Sequence, residues 1–177
     1  MAMNVSYLDE GELRTLLRDN SAGDRSVLVV LPHHISPNGT VVFPQSSRSL
    51  IKRFRASKVE VLLAAKPDNV AFQDEHGAEW LGPLLLISAS AITHDPNIIG
   101  ITLSVIATYL VDYFRGKPKP HRAKFGIVLK NGLLGRKSLK ITYDGPADSI
   151  EEFRETVREA KRTWESEGGS SDGRSDD

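Results

Sequence analysis

The stretch Ile98 to Phe114, IIGITLSVIATYLVDYF, is the longest apolar run in the chain and constrains everything around it. His94-Asp95-Pro96-Asn97 opens it and Arg115-Gly116 closes it, with Pro118 just beyond, so the pattern predicts one helix over about residues 97–115. A surface helix carries a single apolar stripe. This one is apolar nearly all round, which suits a protein core or lipid. Its large side chains run from Ile98, Ile99 and Ile101 through Leu103, Val105 and Ile106 to Tyr109, Leu110, Val111, Tyr113 and Phe114. Burying each is worth about 1.5–3 kcal/mol, so the helix has more to gain from burial than any other segment.

Lipid is the less favoured destination. A helix from Ile98 to Phe114 rises about 26 Å, short of the roughly 30 Å hydrocarbon core of a bilayer. Asp112 lies inside the run, and Thr102, Ser104 and Thr108 dilute it. A buried helix of a soluble domain is therefore expected. Gly100, Ser104, Thr108 and Asp112 recur every four residues and are expected to form its least buried strip.

The flanking segments fit a mixed fold. Ser6 with Asp9 resembles a capping box, which predicts a helix from about residue 7 to 19. Ser26–Leu31 reads as a buried strand, and the Pro37-Asn38-Gly39 turn predicts a hairpin between it and Val41–Phe43. Ser46–Ser57 is amphipathic, with Leu50, Ile51 and Phe54 on one side and Arg48, Lys52, Arg53 and Arg55 on the other. Short strands are expected at 59–64, 70–73 and 78–81, after which Gly82-Pro83 should stop the sheet. Leu84–Ile92 then reads as a short buried helix. Phe125–Lys130 and Ser138–Tyr143 form a C-terminal strand hairpin. An amphipathic helix follows, with Ser149 and Glu152 as its capping box and Ile150, Phe153, Val157, Ala160 and Trp164 as its stripe.

Helices and strands without regular βαβ alternation give an α+β domain over residues 6–166, one mainly antiparallel sheet packed around the long helix. Residues 167–177 read as a disordered polar tail. The chain has no cysteine, which excludes disulfides and thiolate chemistry, and the start lacks a signal-peptide pattern, so a cytoplasmic location is expected.

The net charge of zero conceals blocks of sign. Residues 45–66 are basic, 67–112 acidic and 113–140 basic again, which allows either internal pairing or outward patches. Arg48, Lys52, Arg53 and Arg55 are anion-binding candidates, with a second basic segment at 115–124. Five histidines show no zinc spacing, so no metal site and no cofactor are expected. His34, next to a strand end, and His94 with Asp95 are the catalytic candidates, although no nucleophile elbow accompanies them. Gly132-Leu-Leu-Gly135 before Arg136-Lys137-Ser138 echoes a phosphate loop, but a strand follows where that motif needs a helix. Leu133 and Leu134 in that loop are candidate partner contacts.

Without a catalytic signature, the leading expectation is a non-enzymatic cytosolic module acting through a protein partner or homo-oligomer. A binder of a phosphate-bearing ligand or nucleic acid through 48–58 and 115–124 comes second, nucleic acid being disfavoured by the neutral balance. A membrane-associated effector using 98–114 comes third.

Overall fold

The computed structural model describes residues 1–8, 11, 27–74, 79–130 and 138–169. Its strands are β1 (Ala2–Leu8), β2 (Leu28–Leu31), β3 (His34–Ile35), β4 (Val41–Pro44), β5 (Val61–Leu63), β6 (Val70–Gln73), β7 (Glu79–Ser88), β8 (Arg122–Lys130) and β9 (Ser138–Pro146). Its helices are α1 (Ser46–Ala56), α2 (Ala89–His94), α3 (Ile98–Phe114) and α4 (Ile150–Gly169).

Six strands form a mixed, mainly antiparallel sheet in the order β1-β9-β8-β7-β2-β5, and β3-β4-β6 form a smaller one. The pairs β1–β9, β9–β8 and β7–β2 are antiparallel, whereas β8–β7 and β2–β5 are parallel. The α+β class and the long helix are as the sequence predicts. One core joins Leu28, Val30, Leu85, Ile87 and Ile127 of the sheet to Phe54 of α1, Leu103 and Leu110 of α3, and Phe153 and Val157 of α4. A second cluster, Val29, Leu31, Leu86 and Val128, alternates with the first along the same strands. The central strands are thus buried on both faces, which is why they read as continuous apolar runs.

Four expectations are corrected. Tyr7 and Leu8, placed at the start of a helix by the local pattern, end strand β1 instead. Ser6 sits opposite Lys140 in the β1–β9 ladder, so a row of inter-strand bonds outweighs one side-chain cap. The rest of that expected helix, Gly11 apart, lies outside the described residues. The expected hairpin joins the wrong strands. The Pro37-Asn38-Gly39 turn does reverse the chain, with Gly39 at φ 85°, but it links β3 to β4. Strand β2 pairs instead with β5 and β7.

Gly82-Pro83 does not stop the sheet. Strand β7 passes through it with a register shift against β8 between Leu81 and Leu84. A proline lacks the ladder N–H, and an irregularity of this kind is where a strand tolerates one. Gly82 also faces the Trp80 ring, where an added Cβ would lie 2.2 Å from Cη2. Leu84 to Ser88 accordingly belong to β7, and the helix begins only at Ala89, where Ser88 Oγ accepts from the Ala91 N–H at 3.1 Å. The expected 84–92 helix fails because burial on both faces favours extending the strand.

Helix α3 has the predicted bounds and lies against both α1 and α4. Its Ile98, Ile99, Leu103, Val105, Ile106, Tyr109, Leu110 and Phe114 are buried, while Val111 is 68% exposed. Gly100, Ser104 and Thr108 are exposed, as expected of the least buried strip. Helix α4 follows a 3-10 turn at Ala147–Ser149, buries Phe153, Val157 and Trp164, and continues through Gly169, beyond the boundary expected at 166. The loop 131–137, with Leu133 and Leu134, and the tail beyond 169 lie outside the described residues.

Candidate functional site

The α1–α3 contact gathers most of the polar chemistry on the helical side. Helix α1 buries Leu50, Ile51 and Phe54 and turns its cations outward, so Arg53 meets α3 at its edge. There Arg53 Nη2 donates to Asp112 Oδ2 at 2.8 Å, and Arg115 Nη2 donates to Asp112 Oδ1 at 2.6 Å. The Arg53 hydrogen bond, aided by the charge of Arg115, holds the Asp112 carboxyl below its usual range despite some desolvation. Arg53 also lies over the Tyr109 ring, 5.4 Å from its centre. Lys117 Nζ sits 3.4 Å from the centre of the Tyr113 ring.

The two basic segments therefore converge in part. Arg115 shares Asp112 with Arg53 of α1 and Lys117 stays on the Tyr113 ring of α3, whereas Arg122 and Lys124 turn to Asp144 on β9, at 2.6 Å and 4.0 Å. Of the α1 candidates, Arg48 stacks on Phe72, its Cζ 4.1 Å from the ring centre. Lys52 and Arg55 are exposed.

Two cavities flank α3. The larger, about 770 Å³, runs along the exposed strip between α1 and α4. Gly100, Ser104 and Thr108 form its floor, and a Cβ built on Gly100 meets nothing within 4 Å. Arg53 stands on the α1 side and Arg154, Arg158 and Lys161 on the α4 side, with no acidic side chain in the lining. Each of the α4 cations is paired along its own helix, Arg154 with Glu151 at 3.2 Å, Arg158 with Glu155, and Lys161 with Glu165 at 3.2 Å. Arg154 Nη2 also donates to Ser104 Oγ at 3.2 Å, tying α4 to the floor.

The smaller cavity, about 380 Å³, opens where the start of α1 approaches the end of α3. Arg48, Ser49 and Lys52 of α1 face Tyr109 and Tyr113 of α3 across it, with Trp80 of β7 and Asp74 completing the wall. Burial pushes the Tyr109 hydroxyl above the usual phenol range, while Trp80, Arg53 and Ser49 pull it the other way.

The catalytic candidates are placed apart in the fold. His34 lies on β3 and is exposed, its ring edge-on to His33 at 5.7 Å. His94 ends α2, and Asp95 spends a carboxylate oxygen on the Asn97 N–H at 2.9 Å. No hydrogen bond, ion pair or ring contact links His34 to His94 or Asp95 among the described residues, and no cluster there has the composition to hold a metal ion. Sequence reading missed Trp80, Tyr109 and the α4 cations. The 154–158–161 spacing, one face of a helix, was the available signal for the last group; nothing local singles out Trp80. Neither a family model nor a curated protein nor a solved structure matches the chain.

Proposed function

We propose that the chain is a non-enzymatic cytosolic interaction module, and that the groove along α3 receives an amphipathic helix of a partner protein with acidic side chains along its flanks. The observation that carries this is the groove itself: a floor of small residues between two walls whose charged members are all cations. A small-residue floor lets a second helix approach closely, and helix-in-groove recognition needs an apolar trough of this kind. The cations at its edges complement acids, and Arg154 and Lys161, themselves half-buried, are paired at present with exposed acids of their own helix that a partner's acids could replace. A membrane role for 98–114 would expose to lipid the side chains that the fold packs in its core, and no described helix is long and apolar enough to cross a membrane.

A displayed library of amphipathic helices, selected against the whole chain, tests the reading. The expected winners carry Asp or Glu flanking their apolar stripe and lose binding to the Ser104→Trp variant, which fills the floor at the cost of the Arg154 hydrogen bond and is compared with the parent at a temperature where the melts show both folded. Winners without acidic bias, or winners that bind Ser104→Trp equally well, would refute it.

A further inference from the structure

We infer that strand β1 is a self-association surface, separate from the α3 groove, on which a second copy of this chain adds its own β1 antiparallel and joins the two six-stranded sheets. Strand β1 lies at the edge of the sheet, beyond β9, and among the described residues no strand flanks its outer side. Its ladder with β9 runs from Ala2↔Asp144 to Leu8↔Ser138 without a register shift, so the outer side presents a regular row of N–H and C=O groups. Sheets protect such an edge by brevity, charge, proline or a bulge. The opposite edge uses two of these: β5 is three residues long and lies between exposed Glu60 and Lys66. The β1 sequence, AMNVSYL, has neither charge nor proline and is seven residues long.

Burial and residue order point to a second copy as the occupant. Ile141 and Tyr143 of β9 are fully buried in the main core, and their register partners Val5 and Met3 carry that apolar row outward. Met3 packs half-buried against the core, whereas Val5 is 47% exposed, so the row ends open at the edge. A two-fold axis through Val5 sets Val5 opposite Val5, Asn4 opposite Ser6, Met3 opposite Tyr7 and Ala2 opposite Leu8. Each pair matches apolar with apolar or polar with polar, and residues sharing a pair share a face. A shift of two residues spoils the match, placing Asn4 opposite Leu8 or Ala2 opposite Ser6. This self-complementarity favours the same strand over an unrelated one. The chain's net charge of zero sets no repulsion against the approach of two copies.

Sedimentation velocity of the whole chain, from about 5 to about 500 µM, is expected to show a monomer–dimer equilibrium. Val5→Lys and Val5→Glu each set like charges across the axis and should each weaken dimerisation about tenfold or more. An equal mixture of the two variants should recover the dimer as a heterodimer, which a folding defect in either would prevent. Ser104→Trp, which fills the α3 groove, should dimerise as the parent does and so separates this surface from the groove. A chain that stays monomeric throughout the range, or a dimer unaltered in both Val5 variants, overturns the inference. So does a mixture that remains monomeric, or a dimer lost only in Ser104→Trp.

Discussion

Asp112 is a carboxylate set within an apolar helix run, and its two guanidinium partners account for it. Arg53 and Arg115 each take one of its oxygens, so one side chain fixes α1 against α3 and secures the chain as it leaves α3. Because its folded pKa is depressed, its contribution is complete above the unfolded value, near 3.9, and is lost as pH falls through the lower folded value. Asp112→Asn should therefore flatten the acid limb of the stability curve, measured as urea midpoints between pH 2 and 6; an acid limb as steep as that of the parent chain would exclude this role. Gly82 answers to shape instead of charge. A methyl there would meet Trp80 Cη2, Cζ3 and Cζ2 at 2.2–2.8 Å, and the indole is fully packed. Gly82→Ala should cost about 1–3 kcal/mol in denaturant unfolding, as overpacking of a filled site does.

At the scale of elements, α3 separates its faces despite its nearly uniform hydrophobicity. Leu103 is 1% exposed and Val111 is 68% exposed on the same helix. Leu103→Ala should cost about 2–5 kcal/mol, while Val111→Lys should stay within about 0.5 kcal/mol, both read from urea midpoints. The helix ends of α3 and the faces of α1 were legible because apolar spacing and flanking breakers act locally. The exposed side of α3 was foreshadowed by Gly100, Ser104 and Thr108, but Val111 carries no local mark of exposure; neighbouring helices decide it. Strand partners were illegible for the same reason. Nothing in Leu28–Leu31 says that β5 and β7 flank it, and the turn at Asn38-Gly39 fixes a reversal without fixing which strands it joins. Candidate-site residues divide similarly: Arg48 and Lys52 follow from helical spacing, whereas Trp80 comes to them through β7 by tertiary pairing alone.

Across the whole molecule, a chain of aromatic rings links the helical layer to the sheet. Tyr109 contacts Trp80, Trp80 contacts Phe125, and Phe125 meets Tyr143 and Phe153, which contact each other. This path runs from α3 through β7 and β8 to β9 and α4. Tyr143 is its most enclosed phenol, fully buried, with its hydroxyl donating to the Pro146 carbonyl. Burial raises its pKa, and Glu152 and Asp148 add to the rise; burial raises Tyr109 as well. A raised folded pKa means that stability is complete below the unfolded value of about 10 and declines as pH climbs above it, because the unfolded phenol releases its proton first. Urea midpoints followed from pH 8 to 11 should fall beyond about pH 10. Tyr143→Phe should lower the plateau by about 0.5–1.5 kcal/mol for the lost hydrogen bond yet decline less steeply in alkali. A variant that declines in parallel with the parent would mean that the alkaline loss arises elsewhere and that the ring path is not closed to ionisation at β9.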